Sequence, residues 1–323
     1  MIVKYLLKVC RLPNHFYRII NRMINQRHAY DYSETNDGWK KYGNIPVYGN
    51  CSTGSMFDPY VCKINEIYYM FVSERKTGTI IRLNSINGIE WTNRVVCLSG
   101  THGKEWNSIV NRCCVLVKDN LWHMWFSAQV NGCSTIGYAQ SKDGCAFSII
   151  SFSPVLKAEE DYEGVSVMNP CVFWDKASHV FKMWYAAGEN YEPDVICYAE
   201  SIDGIIWKRC KYNPVLKPIK EHKYEKYKVG GCYVIKIDNK YMMYYIGYQN
   251  LDVARICEAY SDDGINWIHS TGNPILSPTF NSWDSDAVYK PTVVYNNDGS
   301  IYMWYNGRRS KNEYIGFAKK EKK

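Results

Sequence analysis

Short stretches of alternating polar and apolar residues, rich in Val, Ile, Tyr, Trp and Met, recur along the chain. That period of two predicts β-strands. Four heptads at 85–91, 141–147, 201–207 and 261–267 share the pattern Ser-x-Asn/Asp-Gly-x-x-Trp/Phe. Their turn residues Asn87, Asp143, Asp203 and Asp263 lie 56, 60 and 60 positions apart. An Asn-Gly or Asp-Gly step between apolar runs is a turn signal between two strands. A truncated copy stands at Asp37-Gly38-Trp39. In phase with these turns, five apolar strands open on Asp58-Pro59, Asn111-Arg112, Asn169-Pro170, Gly230-Gly231 and Lys290-Pro291. Each is followed by a Tyr/Met/Trp-rich partner strand, and Pro-Val/Ile-Leu links recur at 154–156, 214–216 and 274–276.

A 40–60-residue period with about four strands per unit predicts an all-β fold, a single five-bladed β-propeller with four-stranded antiparallel blades. The fifth unit ends after its third strand. The segment around Asp37-Gly38-Trp39 is therefore expected to add the missing outer strand and close the ring, giving a propeller over residues 31–323. Ahead of it, Phe16, Ile19, Ile20, Met23 and Ile24 follow helical spacing. Residues 1–30 are expected to form a short, basic, amphipathic N-terminal helix.

Composition narrows the classes. With 46% hydrophobic and 15% aromatic residues, the 323-residue chain can bury a large core, and no apolar run is long enough for a membrane span. The net charge of +7 is concentrated at the ends: six cations and no acid in residues 1–30, and a Lys-rich tail from Lys319. The body between them is slightly acidic, which argues against nucleic acid as a partner. The basic segment has no apolar core of signal-peptide type, so a cytoplasmic location is expected, with peripheral contact at the inner membrane surface through residues 1–30. The thirteen cysteines contain no Cys-x-x-Cys and sit mostly in strand-like runs, as buried residues of a reducing compartment would. No Cys/His spacing reads as a metal site, and no cofactor is expected. Such channels can hold a structural calcium, but no dedicated cage is visible.

Chemistry is expected at one mouth of the channel, where the first strands open. The residues there differ from blade to blade while their flanks stay alike, as in a site grafted on a scaffold. Asp58, Asn111, Arg112, Asn169 and Lys290 belong to this ring. Loops reaching the same mouth carry Glu74, Arg75, Glu189 and Arg308, and the segments before the first strands carry Glu163, Trp283 and Asp286. Carboxylates, guanidinium groups, amides and indoles around a concavity suit a sugar or sugar-phosphate ligand.

The five units, the Ser-x-Asp-Gly-x-x-Trp hairpins, the Asn-Pro-Val-Leu links and the Asp-Pro step resemble the five-bladed propeller glycosidases, the clan of glycoside hydrolase families 43, 32, 68 and 130. The resemblance implies action on a glycosidic bond. Asp58 matches the family-43 general base. The positions of the family's pKa-modulating Asp hold amides, Asn111 and Asn169, and those of its acid hold Met168 and Val229. Glu163, Glu189 or Asp286 would then supply the acid. Similarity to family 130 implies instead that Arg75, Arg112, Lys290 and Arg308 hold phosphate. Three readings stay open: a glycosidase, a glycosyltransferase or phosphorylase of surface-polysaccharide assembly, and a non-catalytic sugar-binding propeller.

Overall fold

The computed structural model describes residues 37–189 and 193–321. The expected N-terminal helix lies outside them. Among the described residues the one helical element is a 3-10 turn, Asp161–Glu163, and the rest is β-structure. Strand β1 (Trp39–Lys41) comes first among the described residues. Blade 1 comprises β2 (Met56–Ile64), β3 (Ile67–Glu74), β4 (Thr79–Ser85) and β5 (Thr92–Ser99). Blade 2 comprises β6 (Ile109–Lys118), β7 (Leu121–Val130), β8 (Cys133–Ser141) and β9 (Ser148–Ile149). Blade 3 holds β10 (Ser166–Asp175), β11 (Val180–Gly188), β12 (Pro193–Ser201) and β13 (Lys208–Arg209). Blade 4 holds β14 (Lys228–Ile237), β15 (Lys240–Tyr248), β16 (Ala254–Ser261) and β17 (Ile268–His269). Blade 5 is β18 (Ala287–Tyr295), β19 (Ile301–Arg309) and β20 (Asn312–Lys320), with β1 as its outer strand. The pairing is antiparallel, and Trp39 lies opposite Lys320.

The repeated heptad folds the same way four times. In blade 3, Ser201 Oγ accepts from the Gly204 amide, and Asp203 Oδ1 accepts from the amides of Ile205 and Ile206 at 2.8 Å. Asn87 makes the equivalent turn in blade 1. The glycine is needed twice over: Gly204 has φ +78°, and a Cβ there would lie 2.8 Å from the Trp125 ring. That close approach fastens one blade to the next. Trp125, Trp184 and Trp304 donate from Nε1 to the carbonyls of Gly204, Gly264 and Gly88, each in the following blade, at 2.7–2.8 Å. The fourth link copy is Pro46-Val47-Tyr48, whose Val47 amide donates to Ile315 as Val155, Val215 and Ile275 donate to Ile136, Ile196 and Ile256. It escapes notice in the sequence because Tyr48 replaces the leucine of its siblings. The core fills the seams between blades with buried Trp, Tyr, Met and Ile.

Candidate functional site

The inner strands β2, β6, β10, β14 and β18 all carry a bulge at the same point, where the register slips against the second strand. The bulged residues are Asp58, Arg112, Asn169, Gly231 and Lys290, with φ between 49° and 55°. Left-handed backbone costs an L-residue about 1–2 kcal/mol. Four non-glycine residues held there at one mouth mark a place where scaffold stability is given up for side-chain placement. Neighbouring blades hold the strained amides: Arg112 donates to Ser73 Oγ at 2.8 Å, Asn169 to Ser127 Oγ at 2.9 Å and Asp58 to Asn306 Oδ1 at 3.3 Å.

A cavity of about 300 Å³ opens above this ring. Asp58, Arg75, Arg112, Asn169, Arg308 and Glu313 bring its charged and polar chemistry, and Phe57, Tyr248 and Tyr289 its aromatic walls. Asp58 is 4% exposed, and Arg112 Nε donates to its Oδ2 at 2.8 Å. Burial pushes the Asp58 carboxyl above its ordinary range, against the pull of Arg112 and Lys290, and the nearby Glu313 charge pushes the same way. Glu313 accepts from the Tyr289 hydroxyl and from Arg75, whose Nε lies 2.9 Å away. The Arg75 guanidinium in turn covers the Phe57 ring, 4.2 Å from its centroid. The buried Asn169 Oδ1 has no hydrogen-bond partner among the described residues, leaving an acceptor at the cavity wall. Lys290 sits behind the wall, with its Nζ 3.4 Å from the Cys232 carbonyl.

Several residues singled out in the sequence lie elsewhere, each for a local reason. Glu74 is the last residue of β3 and pairs with Arg94 at 2.9 Å, whereas Arg75 begins the turn that follows and reaches the cavity. Asn111 precedes the bulged residue and donates to Gln129 at 3.1 Å. Trp283 stacks on Tyr305 with ring centroids 5.9 Å apart, as packing. Glu189 is largely exposed and pairs with Lys228 at 3.0 Å. Asp286 accepts from the Ser310 amide at 2.6 Å and braces the turn that carries Lys311, without lining the cavity.

Glu163 is the clearest correction. It is fully buried away from the cavity and accepts from the Tyr185 hydroxyl (2.7 Å), Arg209 Nε (2.9 Å) and the Glu159 amide (2.8 Å). Burial raises its proton affinity, but Arg209 and the other donors outweigh that and hold the carboxyl below its usual range. The same lock recurs. Glu225 accepts from Tyr245 and faces His269, and Asp284 accepts from Tyr305 and Lys41. In each case an acid of the segment before a blade is tied to that blade's second and outer strands. A carboxylate so saturated with donors is a fastener between segments.

Glu313 is a cavity residue that sequence reasoning missed, as are Tyr289 and Lys311. A signal existed for Glu313: it stands two residues before Ile315, where sibling strands hold Ser134, Asp194 and Ala254. Divergence at matched points extends to the third strand.

A family model described as beta-1,4-mannooligosaccharide phosphorylase, glycoside hydrolase family 130, matches residues 74–319. The chain belongs to glycoside hydrolase family 130. This family-130 chain is 29% identical over 182 residues to an uncharacterized protein of Mycobacterium tuberculosis strain H37Rv, covering 54% of this chain and 57% of that one. It is 33% identical over 135 residues to the beta-1,2-mannobiose phosphorylase of Thermoanaerobacter sp. strain X514, covering 36% and 43%. The family-130 chain thus aligns with little more than half the length, at most, of these curated relatives. A solved structure of beta-1,2-mannobiose phosphorylase from Listeria innocua, in complex with beta-1,2-mannobiose, shares the fold at a TM-score of 0.67. It is 14% identical, and the match covers 88% of this chain and 96% of that one.

Proposed function

We propose that this chain is a carbohydrate-active enzyme that cleaves a β-mannosidic bond by phosphorolysis in the Asp58 cavity. One observation carries the reading: a buried carboxyl whose proton affinity is raised by desolvation stands among Arg75, Arg112, Arg308 and Lys311 at a single mouth. Cations with planar forks match phosphate geometry. Phosphate held there would place one oxygen against the anomeric carbon. That oxygen forms the new bond to carbon as the glycosidic C–O bond breaks, and Asp58 gives its proton to the departing oxygen. The products are a sugar 1-phosphate and the saccharide shortened by one unit. In this reading Asp58 is the acid, because phosphate is already a nucleophile and needs no base. Asn169 Oδ1 and Glu313 would accept from sugar hydroxyls. The description of the family model and the name of the Thermoanaerobacter relative support mannosides as the substrate class.

The test incubates the protein with β-1,2- and β-1,4-linked mannobiose, with and without inorganic phosphate, and separates mannose 1-phosphate from free mannose. Phosphorolysis requires phosphate-dependent mannose 1-phosphate, lost at least 100-fold in Asp58→Asn. Free mannose formed equally without phosphate would make the enzyme a hydrolase. Binding of a mannoside with no turnover under either condition would leave the sugar-binding reading in its place.

A further inference from the structure

The lock of blade 4 differs from its siblings in a way that points to a bound cation. Glu225 is fully buried, and its Oε2 accepts from the Tyr245 hydroxyl at 2.7 Å. At the same station blade 3 sets Arg209 on Glu163, and blade 5 sets Lys41 on Asp284. Each of those carboxylates is paired with a basic side chain. Glu225 faces two imidazoles instead. His222 Nδ1 lies 2.7 Å and His269 Nδ1 3.1 Å from the same oxygen, Oε1. Two ring nitrogens thus converge on one carboxylate oxygen where blades 3 and 5 each place a single basic side chain.

We propose that His222, Glu225 and His269 bind a divalent transition cation, with Zn²⁺ the best fit. One donor atom from each residue lies within 4.8 Å of the others, and the three come from two segments far apart in sequence. Two imidazole nitrogens and one carboxylate oxygen form a borderline N/O donor set suited to zinc, with a fourth, tetrahedral position for water. Bonds of about 2.0–2.1 Å to the metal set neighbouring donors about 3.3 Å apart, so the two nitrogen–oxygen spacings of 2.7 and 3.1 Å would widen and the nitrogens, now within 4.8 Å of each other, would settle at a like distance. The His222 side chain is 37% exposed, which gives the ion a way in. The ion would join the segment before blade 4 to the outer strand β17, as Arg209 and Lys41 join theirs. The site is separate from the Asp58 cavity, which none of the three residues lines. Spacing in the sequence does not show it, because His222 and His269 are brought together only by the blade.

The experiment uses the full chain after chelator treatment and titrates it with Co²⁺ and then Zn²⁺, alongside His269→Arg. That variant restores the guanidinium used in blade 3, so it should fold without metal. The expected result is one equivalent of Co²⁺ with ligand-field bands and no thiolate charge-transfer band, which sets it apart from binding by the cysteines. Zn²⁺ should displace it and raise the Tm of the wild type. His269→Arg should bind at least 100-fold more weakly and gain no Tm from Zn²⁺. No saturable binding by the wild type, or equal binding by His269→Arg, would overturn the proposal. So would a metal-free wild type whose Tm rises only as the imidazoles are protonated and ignores Zn²⁺.

Discussion

Replacing Arg112 with Gln tests the electrostatics of the cavity directly. Arg112 Nε and Asp58 Oδ2 are 2.8 Å apart, and the two side chains are 16% and 5% exposed. Unit charges about 4 Å apart at an effective dielectric of about 20 attract by about 4 kcal/mol. Breaking a buried pair by removing one partner costs about 3–5 kcal/mol, which agrees. Asp58 can escape part of that cost by taking a proton. Burial already raises its folded-state proton affinity above the unfolded value. The folded protein therefore holds the extra proton, and the stability linked to it is present at low pH and lost as pH rises through the folded pKa. Deleting Arg112 removes the largest force that lowers that pKa, leaving Lys290 to pull it down and Glu313 to push it up. The window of loss then moves toward neutral pH. Arg112→Gln should lose about 3–4 kcal/mol at pH 8, and the deficit should shrink by up to about 1.4 kcal/mol per pH unit on acidification. Urea unfolding of wild type and variant at half-unit steps from pH 5 to 8 measures this. The double variant Asp58→Asn/Arg112→Gln, which removes both members of the pair, should recover most of the loss. A deficit that is flat with pH, or a double variant no more stable than the single one, would refute the reasoning.

Two further outcomes follow from the packing. Arg209→Met strips the cation from the fully buried Glu163 and should cost about 3–5 kcal/mol in chemical denaturation, with turnover per folded molecule unchanged because Glu163 lies outside the cavity. A fall in turnover without a fall in stability would return Glu163 to the list of acids. Gly231→Ala sets a Cβ 2.5 Å from Ile246 Cδ1 and 3.1 Å from Asn169 Nδ2. It should lose about 1–3 kcal/mol by overpacking and weaken mannoside binding through the displaced amide, seen by denaturation and by titration with mannobiose. Unchanged affinity would mean that Asn169 does not contact the sugar.

The five-bladed architecture was legible in the chain because a blade is local. Its turns depend on Ser, Asp and Gly within four residues of one another, and its strands on alternation over eight or nine. The ring of divergent residues was legible for the same reason, since repeats can be laid over one another without coordinates. Which neighbours of that ring enter the cavity was decided by one-residue differences in position. Arg75 and Glu74 part company where β3 ends and its turn begins, and Asn111 and Arg112 separate at the bulge.

Contacts between blades could only come from the folded molecule. Glu163 reads in sequence like any loop acid. It becomes a fastener because Tyr185 and Arg209, 22 and 46 residues on, close around it. Glu313 meets Arg75 across 238 residues, and Arg112 meets Asp58 across 54. His222 and His269 share an oxygen although neither shows a ligand spacing. By itself the sequence determined the repeat and the turns, because those rest on backbone preference and nearest-neighbour side chains. The tertiary structure alone decided which charges are paired, buried or left facing a ligand, because the energy of a charge depends on what surrounds it in space.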